Sequence, residues 1–165
     1  MDWETLLDQY GAALLLYARQ WTASHQEAEE AVQEGFVKVW RARPNGPDQP
    51  APLLYRAVKQ SAIDLARKRV RRRQREKAAG ALETGEPVAM FESGFESKER
   101  RDQIERALAK LPAEQREVVV MKIWGELTFR QIAETLDVSA NTAASRYRYA
   151  LRTLRKELAT AGAAR

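Results

Sequence analysis

Cysteine is absent from this chain of 165 residues, and histidine occurs once, as His25. Without thiols there is no disulfide framework, no thiolate zinc site and no cysteine nucleophile. A single histidine leaves no His-rich metal site and no serine–histidine pair beyond His25 itself. Long apolar runs are missing as well: residues 12–16 form one of the longest, far short of the roughly 20 that cross a bilayer. The N-terminus, Met1-Asp-Trp-Glu, is acidic and lacks the basic stretch that opens a secretion signal. The expectation is therefore a cytoplasmic protein without membrane insertion. Period-two alternation, the mark of half-buried strands, is hardly present. No Gly-rich phosphate loop, paired acid and base, or nucleophile–base set can be read, so no catalysis, no cofactor and no metal are expected.

What is present is charge, unevenly placed. Lys and Arg number 28 against 23 Asp and Glu, a formal +5. Residues 1–42 carry a net −4, residues 53–77 a net +8, residues 78–110 a net −2 and residues 111–165 a net +3. A basic block beside an acidic helical block implies two kinds of partner, a polyanion for the first and a basic protein surface for the second.

Helical spacing covers almost everything else. Trp3, Leu6, Leu7, Tyr10, Leu14, Tyr17, Ala18 and Trp21 fall on one face of a helix over residues 3–21. Ser24 and Glu27 have capping-box spacing, and a second helix follows to about residue 43, with Ala28, Ala31, Val32, Phe36, Val39 and Trp40 facing inward. Four prolines in residues 43–52 predict a loop. A third helix is expected from about residue 53 to 77, its apolar stripe (Leu54, Ala57, Val58, Ala62, Leu65) ending near Ala66. Gly80, Gly85, Pro87 and Gly94 mark residues 78–96 as a flexible linker. Beyond it come a helix carrying Ile104, Leu108 and Leu111, and one opened by Pro112 and closed by Gly125. A short helix capped by Thr128 and Gln131 follows, and then a last helix capped by Ser139 that runs to about residue 159. The fold class is all-α: two small helical domains, residues 1–77 and 97–165, joined by a linker.

Three stretches carry function. Residues 128–146 have the layout of a helix-turn-helix, with Asp137 at the turn position that favours positive φ. On its second helix Asn141, Thr142, Ser145, Arg146, Arg148 and Tyr149 lie off the apolar stripe; Arg and Asn read base edges, while hydroxyls hold phosphates. The plain alternative is a packing unit. The basic helix, with Lys59, Arg67, Lys68, Arg69 and five further cations to Lys77, suits phosphate neutralisation, against a merely solvated face. Trp40 and Tyr55 bracket the proline-rich loop, where exposed rings stack unpaired bases. On the second helix Glu27, Glu29, Glu30, Gln33 and Glu34 form a polar side; a docking face for a basic partner suits it better than a metal site at Glu30 and Glu34.

In this order the three stretches resemble the extracytoplasmic-function (ECF) group of bacterial RNA polymerase sigma factors, across nearly the whole chain. Residues 27–40 (EAEEAVQEGFVKVW) resemble the family's core-binding helix in region 2. Residues 53–69 (LLYRAVKQSAIDLARKR) resemble its promoter-melting helix, and LPAEQREV at 111–118 with residues 127–158 resembles region 4. The resemblance implies that Glu30, Gln33, Glu34 and Phe36 dock on the clamp of the polymerase β′ subunit. It implies that Tyr55, Lys59, Gln60, Asp64, Arg67 and Lys68 line the strands at the −10 element, where the loop over residues 43–52 captures an extruded base. It assigns Ser139, Asn141, Thr142, Ser145, Arg146 and Arg148 to the −35 element. An anti-sigma protein holding the factor inactive is implied as a further partner. The chain departs from the family pattern at Gln60, where asparagine is frequent, at Asp137, where the turn commonly has glycine, and at Ala143 and Ala144. The extra C-terminal domain of a ligand sensor is not expected. A stand-alone helix-turn-helix regulator, or a polymerase-binding adaptor without promoter readout, shares some of these features.

Overall fold

A computed structural model describes residues 2–80 and 98–163. Among them every regular element is an α-helix: α1 (Trp3–Ala18), α2 (His25–Ala42), α3 (Pro50–Ala78), α4 (Lys98–Ala109), α5 (Ala113–Ile123), α6 (Phe129–Leu136) and α7 (Ala140–Ala163). The chain divides into two compact units, Met1–Val88 and Ala89–Arg165. The expected linker, residues 78–96, lies outside the described residues from position 81 on; before that, Ala78 closes α3 and Gly80 takes φ +82° in a turn.

In the first unit α1 and α2 pack on the N-terminal half of α3. Leu6, Leu14, Tyr17, Leu54, Tyr55 and Val58 are wholly buried between them. Tyr17 is the hub, meeting the rings of Trp21 and Tyr55 edge-on, each at 4.9 Å between centroids, a geometry the ring quadrupoles favour. α1 stops three residues before Trp21: Gln20 and Trp21 donate their N–H groups to the carbonyls of Tyr17 and Ala18, a tighter turn that swings the Trp21 ring onto Tyr17. Leu7, expected inward, is 51% exposed.

Ser24 caps α2 as its sequence implies, its Oγ accepting from the Glu27 N–H at 3.0 Å. The return bond differs from a capping box: Glu27 Oε2 accepts from the Ala23 N–H at 2.7 Å. α2 then crosses α3 at Gly35, where a methyl group would stand 2.5 Å from Val58 Cγ2 and 3.0 Å from the Val58 nitrogen. Only a hydrogen side chain permits that approach.

α3 begins at Pro50, earlier than the prolines suggested. Its first-turn nitrogens have no intrahelical carbonyl to bond, so Pro50 and Pro52 forfeit nothing there, and both are buried. The Trp3 indole N–H donates to the Pro44 carbonyl at 3.3 Å and ties the loop to α1. Past Leu65 the inner stripe ends, and residues 70–80 are all exposed.

In the second unit α7 is the spine, packed against α4, α5 and α6. Leu108, Val118, Val119, Met121, Ile132, Ala143 and Ala150 are wholly buried. Arg116 closes the α4–α5 corner: its Nε donates to the Leu108 carbonyl at 3.0 Å and its guanidinium also reaches the carbonyls of Ala109 and Leu111. Pro112 occupies the N-cap position of α5, one residue before the first turn. The turn after α5 places Glu126, not Gly125, at positive φ, +54°. Gly125 instead donates its N–H back to the Val120 carbonyl at 3.1 Å. Thr128 and Gln131 make a full capping box, with reciprocal bonds of 2.9 and 3.1 Å. Asp137 ends α6 in the left-handed conformation (φ 55°, ψ 49°), which Asp tolerates better than most residues. Ser139 Oγ accepts from the Thr142 N–H at 3.0 Å and starts α7.

Candidate functional site

Three surfaces carry the residues that the sequence singles out, each within one unit. The first is the outer face of α2. Glu30 and Gln33 are exposed there, and Glu34 and Phe36 are half-buried. Phe36 sits at the edge of the face, its ring edge-on to Trp3 at 6.4 Å between centroids. The helical period brings Val37 and Trp40 onto the same face as Gln33. They are 42% and 50% exposed, so Trp40 belongs to the outer surface and not to the core face assigned above. The acidic N-terminal half of this face thus runs into an apolar C-terminal half. Val37 was missed; an apolar residue at a polar position of the helical pattern was the signal available. Among the described residues no three His, Cys, Asp or Glu side chains gather as a metal site.

The second surface is α3 with the loop before it. Arg56, Gln60, Asp64, Arg67 and Arg71 recur at three- and four-residue steps and share one face, flanked by Lys59 and Lys68. Gln60 donates to Asp64 Oδ1 at 3.0 Å, which fixes both side chains. The Lys59 ammonium lies over the Trp21 ring, 5.4 Å from its centroid, as a cation–π pair. Beside the loop a groove of about 520 Å³ opens between Ala42, Arg43, Leu53, Arg56 and Gln60. Its walls mix apolar carbon with guanidinium groups, the chemistry of a base with its phosphate.

Tyr55 is the correction on this surface. Its ring is wholly buried against Tyr17, because the residue falls between Leu54 and Val58 on the inner stripe. It offers no face for stacking. Burial raises the pKa of its phenol well above the ordinary tyrosine range, with the nearby Tyr10 phenol adding to the effect. Its hydroxyl has no hydrogen-bond partner among the described residues. Tyr55→Phe should therefore hold or raise stability by up to about 1 kcal/mol. Thermal unfolding checks it; a clearly less stable variant would show that the hydroxyl has a partner after all.

The third surface is the outer face of α7. Asn141, Arg148 and Tyr149 are exposed, with Ser145 half-exposed beside them. Arg148 reaches Ser145 Oγ at 3.3 Å, and the Arg152 guanidinium covers the Tyr149 ring at 5.7 Å. Arg146 turns aside toward Glu114 of α5, at 3.5 Å. The hydroxyls of Ser139 and Thr142 are bonded to each other at 2.9 Å as part of the cap. Of the six residues expected here, Asn141, Ser145 and Arg148 form the open face, while the other three stand at its start and edge.

No helix among the described residues is long and apolar enough to cross a membrane. The sequence pattern described as Sigma-70 region 2 matches residues 6–73, and that described as Sigma-70, region 4 matches residues 101–154. The ECF RNA polymerase sigma factor SigL of Mycobacterium tuberculosis is 29% identical over 163 residues, 97% of this chain and 90% of SigL. The ECF RNA polymerase sigma factor SigK of Mycobacterium ulcerans is 31% identical over 132 residues, 78% of this chain and 70% of SigK. Among solved structures, the sigma factor RpoE in complex with the anti-sigma factor NepR, from Bartonella quintana, matches with a TM-score of 0.69. It is 25% identical, over 94% of this chain and 95% of that one. CnrH, solved in complex with the cytosolic domain of CnrY, matches with a TM-score of 0.64 at 24% identity, over 96% and 88% of the two chains, and speaks for the fold.

Proposed function

The chain belongs to the ECF RNA polymerase sigma factors, and from that premise we propose how its two units share the work of promoter recognition. The unit formed by residues 1–77 docks on core polymerase through α2, with Glu30, Gln33, Glu34 and Phe36 facing the β′ clamp and Val37 and Trp40 extending the contact. Its α3 then meets the −10 element through Lys59, Gln60, Asp64, Arg67 and Lys68. The groove beside residues 43–52 receives an extruded base, whose unstacking is offset by contact with the groove walls. The unit formed by residues 97–165 reads the −35 element with Asn141, Ser145 and Arg148. Ser139, Thr142 and Arg146 contact the backbone at the helix start and edge. The linker joins two weak contacts into one firm attachment, as tethered sites do. The factor works in the cytoplasm, catalyses no reaction of its own, and is held inactive by an anti-sigma protein, a partner of the kind with which RpoE of Bartonella quintana is seen in complex.

One observation carries this reading. α2 and α3 are locked together at Gly35 and Val58, so an acidic-to-apolar docking face and a basic DNA face form one rigid body. A stand-alone regulator has no use for the first face. The test is transcription by bacterial core polymerase on a library of promoter-like duplexes, with and without the protein. Start sites that need the protein and share a two-part upstream element are expected. Core binding without specific starts favours an adaptor, and no core binding sinks the sigma reading. Within this reading, Trp40→Ala should weaken core binding about tenfold, the scale of an exposed aromatic anchor at an interface, in an equilibrium titration against core polymerase.

A further inference from the structure

The inner stripe of α3 runs Leu54, Val58, Ala62, Leu65 and, one turn further, Arg69. The first four are buried against α1 and α2. At the fifth place an ion pair replaces apolar packing: the Arg69 guanidinium meets Glu27 Oε2 at 2.5 Å, with the two side chains only 20% and 15% exposed. The same oxygen accepts the Ala23 N–H at 2.7 Å, so Glu27 is held by the start of its own helix. Beyond Arg69 no residue of α3 is buried, and Val70, half-exposed near Trp21, is the last apolar side chain before a run of cations. Residues 70–80 are exposed throughout, and Arg71, Arg72, Arg73, Arg75 and Lys77 repel one another along them. A free helix shorter than about 12–15 residues is marginal in water, and like charges at four-residue spacing weaken it further. Yet α3 continues to Ala78.

We propose that the Glu27–Arg69 pair is a latch that positions the basic extension of α3. Glu27, at the start of the docking helix α2, sets the helicity and direction of residues 70–78 and thereby their grip on promoter DNA. Glu27 is a positioning residue and touches no DNA itself. The DNA half of this inference rests on the sigma reading; the latch does not.

Glu27→Gln separates the latch from simple charge. Glutamine keeps an acceptor for the Ala23 N–H, removes the ion pair, and makes the chain one unit more positive. If charge alone mattered, DNA binding would tighten. The latch predicts the opposite sign: promoter opening by the core–sigma complex falls about fivefold or more, and amides of residues 71–78 exchange at least about fivefold faster in the free full-length chain. Arg69→Met should reproduce the exchange effect with the Glu27–Ala23 cap intact, and Arg69→Lys should restore near-normal behaviour. Arg72→Met, which removes an exposed cation, should weaken DNA binding without changing exchange. Unchanged exchange in both Glu27→Gln and Arg69→Met, or unprotected amides over 71–78 in the unsubstituted chain, would overturn the latch. Faster exchange with undiminished promoter opening would overturn its part in DNA binding. Should the unsubstituted chain open no promoter, the sigma reading falls, and the exchange comparison still decides the latch.

Discussion

Gly35→Ala is expected to destabilise the first unit by about 1–3 kcal/mol, the usual scale of overpacking, although alanine is the better helix former. By propensity alone the substitution would stabilise by about 1 kcal/mol. The added methyl, however, would stand 2.5 Å from Val58 Cγ2, 3.0 Å from its nitrogen and 3.1 Å from its Cα. A flexible side chain would swing away. Valine in a helix has essentially one χ1 rotamer, and two of the three close atoms are backbone, so α2 and α3 must move apart. Every buried contact between them loosens with that movement. Val58→Ala in the same chain should relieve the clash with Cγ2 but not those with the backbone, so a double-mutant cycle should show a favourable coupling that leaves a residual loss. Urea unfolding followed by the fluorescence of Trp3, Trp21 and Trp40 measures it. A Gly35→Ala chain more stable than the parent would show that the close crossing is not what requires glycine.

Replacing Lys59, Arg67 and Lys68 together by alanine should cost promoter complexes about a hundredfold near physiological salt, while core binding stays intact. Each lost phosphate contact removes about 0.9 from the slope of log affinity against log salt, so three should make that slope shallower by about 2.7. Arg67 and Lys68 are exposed, and Lys59 is held at the flank by Trp21, so the fold should survive. The salt series is the discriminating measurement. A loss of affinity with an unchanged slope would mean that these side chains act through structure and not through phosphates.

Both predictions rest on features of different legibility. The helix starts at Ser24, Thr128 and Ser139 were readable because a cap is a bond between residues three apart. The left-handed Asp137 was readable because the turn of a helix-turn-helix demands such a residue between two periodic stripes. The basic face of α3 and the acidic face of α2 follow from charge and helical period, and the order of the three stretches identified the family. Gly35 was not readable as a crossing point, since one glycine in a helical pattern says nothing about which helix lies opposite. Tyr55 was misplaced because an aromatic beside a loop can face either way. Trp40 was misplaced because its position borders both the core stripe and the polar face. α3 starts earlier than its prolines suggest because the first turn of a helix accepts proline, which breaks a helix only further in.

The sequence by itself therefore determined the elements and most of their caps, which depend on residues within a turn or two of each other, and, through the order of its stretches along the chain, the partition of charge and the family. The tertiary structure alone decided which borderline residues face outward, where α2 and α3 touch, how Arg116 closes the α4–α5 corner, and that Arg69 answers Glu27 across 42 residues. Those outcomes depend on the shape and charge of a neighbour distant along the chain. Local spacing leaves them open, and only packing settles them.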